Sequence, residues 1–70
     1  MKTVYDIQQL LKRFGTFIYT GNRIADLELM EGEIKELYDA RFIDVTQYKT
    51  ALLLLRQEAS RVRDQKGADS

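Results

Sequence analysis

Three stripes of apolar residues, each stepping by three or four positions, limit what this chain can fold into. Val4, Ile7, Leu11 and Phe14 form the first, with Leu10 alongside. Ile24, Leu27, Met30, Ile34 and Leu37 form the second, with Tyr38 beside it. Val45, Tyr48, Leu52, Leu55, Ala59 and Val62 form the third, which alternates three and four as a heptad seam does. That period puts each set on one face of an α-helix. No proline occurs among the 70 residues, so nothing breaks these runs from within.

The ends of the stripes carry helix punctuation. Thr3 with Asp6 has the spacing of a capping box, Asn22 stands as a cap ahead of the second stripe, and Gly15 is a stop after the first. Asp44 with Gln47 has capping-box spacing, and Ile43 with Tyr48 that of a hydrophobic staple. The connection Asp39-Ala-Arg-Phe-Ile-Asp44 is short, so the second and third helices fold back as an antiparallel hairpin. Gly32 falls inside the second stripe at a cost of about 1 kcal/mol relative to alanine, which marks either a close helix crossing or a weak point. The expected fold is all-α: a three-helix bundle over residues 1–63, with residues 64–70 as a flexible C-terminal tail.

One stretch departs from this plan. Between the first two helices runs Arg13-Phe-Gly-Thr-Phe-Ile-Tyr-Thr-Gly-Asn-Arg23. The segment Thr16–Thr20 has strand propensity, yet no second strand pattern exists to pair with it, and a lone strand leaves its backbone groups unmatched. An extended aromatic loop over the end of the bundle is the expectation. One side of such a loop faces the core, so either Phe17 and Tyr19 or Ile18 alone point inward. A core this small has use for every large side chain, which favours the loop as a plug over the loop as a binding surface.

Size and composition narrow the function. A chain of this length buries only about 60% of its unfolded surface. With neither Cys nor His it has no disulfide, no thiolate and none of the commonest zinc ligands. Association with another chain is the remaining reinforcement. Catalysis finds no support: the two serines, Ser60 and Ser70, have no histidine to activate them. No glycine pair is followed by the Lys-Ser/Thr of a phosphate-cradling loop. Glu28 with Glu31 and Glu33 with Glu36 have spacings that a divalent cation could use, but glutamate-rich helix faces are commonly just solvated. A non-enzyme is expected, with no cofactor, no metal and no small-molecule substrate. The N-terminus lacks a signal-peptide pattern, and the apolar run Ala51–Leu55 is too short to span a bilayer. A cytoplasmic protein without membrane attachment is the expectation.

The formal net charge is zero but unevenly spread. Residues 1–20 carry three basic and one acidic side chain, residues 21–44 three against seven, and residues 45–66 five against two. Such blocks oppose a strong field over the whole molecule while leaving room for a local basic face. Two surfaces compete. Lys12, Arg13 and Arg23 bracket Phe14, Phe17 and Tyr19, and Lys49, Arg56 and Arg63 recur every seven residues, about 10 Å apart along one helix. Aromatic faces stack on bases while cations follow phosphates, which is how single-stranded nucleic acid is held. The plainer account of the basic row is a solvated face, or ion pairs with the acidic second helix. The other surface is apolar. Leu29, Leu53 and Leu54 lie off their stripes, and a contiguous patch of them would mark self-association or a protein partner.

The residues "YDIQQLLKRFGTFIYTGNRIADLELMEGEIKELYDARFI", continuing through "YKTALLLLRQE", resemble the YqgQ-like family of small bacterial proteins of unknown function. The likeness spans residues 4 to 60, with "GTFIYTG" followed by "ADLELME" as its most specific run. The resemblance implies a compact three-helix bundle and supplies no established activity or catalytic residue; single-stranded nucleic-acid binding is only an idea for such proteins. The hairpin "IKELYDARFIDVTQYKTALLLL" is also similar to short helical modules at the ends of many bacterial proteins that are thought to mediate oligomerisation. The expected function is therefore that of a small helical binding module, for single-stranded nucleic acid or, alternatively, for itself or another protein.

Overall fold

The computed structural model describes residues 1–68, with side chains through residue 64. It holds three helices, α1 (Val4–Arg13), α2 (Arg23–Asp39) and α3 (Val45–Ala68). The bundle measures 42 × 22 × 17 Å, its long axis set by α3. α2 and α3 form the main pairing and α1 packs across both. Pairs across the hairpin run in opposite senses, Tyr38 on Tyr48 and Glu31 on Arg56, which is the antiparallel arrangement.

Each helix starts where its cap stands. The N–H of Asp6 donates to Thr3 Oγ1, and the carboxylate of Asp6 accepts from the N–H groups of Lys2 and Thr3 at 2.8 and 3.1 Å. The Ala25 N–H donates to Asn22 Oδ1 at 3.0 Å. Asp44 and Gln47 cap each other, the Gln47 N–H reaching Asp44 Oδ1 at 2.8 Å and the Asp44 N–H reaching Gln47 Oε1 at 3.1 Å. Orphan donors at all three N-termini are thus met by side chains from the chain itself.

The first two helices also end alike. At the end of α1 the Gly15 N–H donates to Lys12 O and the Thr16 N–H to Leu11 O, with Gly15 at φ 80°. At the end of α2 the Arg41 N–H donates to Tyr38 O and the Phe42 N–H to Leu37 O, with Arg41 at φ 65°. Both are Schellman motifs, whose residue after the cap must be left-handed. Gly15 takes that conformation freely; Arg41 takes it against its own Cβ.

Val4, Ile7 and Leu11 of α1, Leu27, Met30, Ile34 and Leu37 of α2, Ile43 of the turn, and Ala51 and Leu55 of α3 make the core. The first two stripes match the expected phase, save that Ile24 is only half-buried and Phe14 leaves the stripe to pair with Phe42 at 5.2 Å between rings. The third does not. Val45 is exposed, and Leu52 stands only half-buried beside the core rather than in it. Ala51 is fully buried instead, and Leu54 packs on the core. α3 touches both α1 and α2, and this second contact turns its buried face toward Leu54. Gly32 lies in an unbroken helix with open space where a Cβ would stand, so it marks no close crossing within the chain. The expected tail overlaps α3, which continues past residue 63 to Ala68; residues 69 and 70 lie outside the described residues.

Candidate binding surface

The loop between α1 and α2 is fixed at both ends by its own sequence. Gly15 turns the chain off α1, and the Thr16 N–H stays bonded to Leu11 O at 3.0 Å. At the far end Asp26, a buried carboxylate in the first turn of α2, accepts from the Thr20 N–H at 2.7 Å and from the Thr20 hydroxyl at 2.6 Å. The same hydroxyl oxygen accepts the Asn22 N–H at 3.2 Å. Gly21, at φ 86°, makes the turn into the helix. One buried acid thus ties the loop to the start of α2, satisfying its own charge with hydrogen bonds.

Between these anchors the chain alternates. Ile18 packs against the core, whereas Phe17 is 75% and Tyr19 90% exposed. Of the two inward arrangements allowed by the sequence, Ile18 alone is the one adopted. The expectation that the loop mainly plugs the core is corrected accordingly: one side chain plugs and two aromatic rings stand in solvent. Beside them lies a groove of about 350 Å3, with Gln8 and Lys12 of α1 on one wall, Phe17 and Tyr19 on the other, and the buried Leu11 and Met30 beneath. A second, shallower groove carries Phe14 and Phe42 and shares Thr16 with the first.

The basic residues are dispersed. Arg23 faces Glu58 at 3.8 Å, Arg56 faces Glu31 at 3.4 Å, and Arg63 faces Glu28 at 3.9 Å. Glu58 also pairs with Arg61. The row on α3 therefore lies along the acidic flank of α2, and two of its three members face a carboxylate. Exposed pairs of this length contribute about 0–1 kcal/mol each, yet they halve the charge left to attract phosphate. Lys12, Arg13 and Lys49 have no carboxylate at ion-pair distance among the described residues. Only Lys12 shares the groove with Phe17 and Tyr19.

The three leucines do not form one patch. Leu54 packs on the core. Leu53 is 57% exposed on the outer face of α3, opposite Ala51 and Leu55. Leu29 is 50% exposed on α2. Phe14 and Val45, both counted in apolar stripes by their spacing, are exposed, and so is Phe42, which carries no signal of its own in the sequence. Asp26 was missed as well; its only signal was an acidic residue in a first turn, common to many helices.

Among the described residues no group of three or more acidic side chains gathers to hold a metal ion, and no helix is long and apolar enough to cross a membrane. A family model described as YqgQ-like matches residues 1–61. The protein of Bacillus subtilis (strain 168) described as "Uncharacterized protein YqgQ" is 42% identical over 64 residues, which cover 91% of this chain and 90% of that one. The match spans all three N-caps, the aromatic loop and the core of every helix, and on it this chain belongs to the YqgQ-like family, whose function is uncharacterized.

Proposed function

We propose that this protein is a non-enzymatic interaction module whose working surface is the aromatic loop and whose partner is a protein. The observation that carries this is the exposure of Phe17 and Tyr19 on a loop held rigidly at both ends. A domain of this size has little apolar area to spare, and two large rings in water beside an apolar groove have the character of a docking patch. Tyr and Phe are also among the residues enriched at interface centres. The working surface moves accordingly from Leu29, Leu53 and Leu54 to the loop.

Site-specific photo-cross-linking in cells that express the protein tests this. A photoreactive phenylalanine analogue at position 19 gives a discrete higher-mass adduct, and the same analogue at exposed position 36 gives none. Absence of an adduct from position 19 sinks the proposal.

A second function, single-stranded nucleic-acid binding, is favoured by one observation: Lys12 shares the groove with Phe17 and Tyr19. Against it stand the carboxylates facing Arg23, Arg56 and Arg63. Fluorescence anisotropy of a labelled mixed-sequence oligonucleotide decides. Binding that falls steeply with salt and is lost in Lys12→Glu would establish it; no binding at low salt up to about 1 mM protein would end it.

A further inference from the structure

The loop reads Thr16-Phe17-Ile18-Tyr19-Thr20, which has the same chemical order in both directions about Ile18. In an extended chain successive N–H groups point to opposite edges. Those of Thr16 and Thr20 turn into the molecule, to Leu11 O and Asp26 Oδ1. The other edge carries the N–H and C=O groups of Phe17 and Tyr19, and none of these forms a hydrogen bond among the described residues. A free edge with alternating side chains is a template for strand addition.

We propose that a second copy of this chain occupies that edge, the two loops pairing antiparallel about a two-fold axis beside Ile18. Phe17 of each copy then lies opposite Tyr19 of the partner subunit, each N–H donating to the facing carbonyl. The sequence of the loop selects this occupant. A two-fold interface must be complementary to itself, and a strand with the same order in both directions meets that condition residue by residue. Aromatic rings fall opposite aromatic rings and threonines opposite threonines, both favourable cross-strand pairs. No charged residue lies within the strand, so no like charges meet across it. The inference rests on the aromatic loop being the working surface, and it names the partner. One short strand with its rings buries far less than the usual interface of about 1,600 Å2, so the dimer is weak and forms at high concentration.

Sedimentation velocity of the full chain, from about 20 μM to about 2 mM, covers the range of such an interface. The weight-average mass rises from 8.2 kDa toward twice that value. Two double variants fix the register. Phe17→Glu with Tyr19→Glu sets carboxylates opposite each other and holds the chain at the monomer mass. Phe17→Glu with Tyr19→Lys sets opposite charges face to face under antiparallel pairing, and this variant still dimerises. Circular dichroism confirms that both keep the helical fold. The proposal is overturned if the unmodified chain stays at 8.2 kDa throughout, if the first variant associates like the unmodified chain, or if the second fails to associate. A monomer whose position 19 cross-links in cells to another protein would remove the second copy while keeping the loop as an interaction surface.

Discussion

Arg41 and Asp26 are the residues whose chemistry is least evident from their type. Arg41 holds φ 65° at a position where glycine is the usual occupant, and Gly15 fills the equivalent position after α1. The left-handed conformation costs a residue with a Cβ roughly 1 kcal/mol or more. Arg41→Gly therefore stabilises the fold by about 1 kcal/mol, and Gly15→Ala destabilises it by a similar amount, both measured by urea unfolding. Asp26 receives both donors of Thr20. Asp26→Ala removes the acceptor of two part-buried hydrogen bonds and costs about 1–3 kcal/mol. Amide exchange at Thr20 accelerates in that variant; unchanged exchange there would remove Asp26 as the anchor.

Element by element, sequence and structure agree where the determinants are local. Thr3, Asn22 and Asp44 announced their helices because a cap and the amides it binds lie within four residues. The phase of α3 was legible only in part, for the opposite reason. Whether Ala51 or Leu52 faces inward depends on where two other helices lie, and the leucine run Leu52–Leu55 supports several phases. The inward turn of Ile18 was likewise one of two open alternatives until Asp26 and Leu11 fixed the ends of the loop.

Two element-level predictions follow the same logic. Gly32 sits mid-helix with open space where a methyl group would stand, so Gly32→Ala stabilises α2 by about 1 kcal/mol in the same unfolding assay. At the start of α1, hydrogen bonds from the Lys2 and Thr3 amides hold the Asp6 carboxyl below its ordinary 3.8. A carboxyl whose folded value is depressed adds stability above the unfolded value and loses it as pH falls through the folded one. The first turn of α1 therefore loosens as pH drops below 3.8, seen as amide shifts at Thr3 and Asp6 by NMR. Asp6→Asn removes that acid-dependent step.

For the molecule as a whole, stability and binding surface are separable. The core draws on all three helices and on Ile43, whereas Phe17 and Tyr19 contribute little to it. Replacing both rings with serine leaves the thermal midpoint within a few degrees of the unmodified chain, since surface changes remain within about 0.5 kcal/mol each. A large drop would show that the rings are structural. The charges sort the same way: the acidic and basic blocks seen along the sequence become facing flanks of α2 and α3, with Glu31 on Arg56 and Glu28 on Arg63.

The two hydrogen bonds from Thr20 to Asp26 decide how little the loop adapts in an encounter. Pulling Tyr19 aside drags Thr20, and with it the first turn of α2, so the loop yields only at the expense of the helix. This surface is presented ready-made, in the manner of a die rather than a mould. A second copy of the loop, tied in the same way, meets it as it stands.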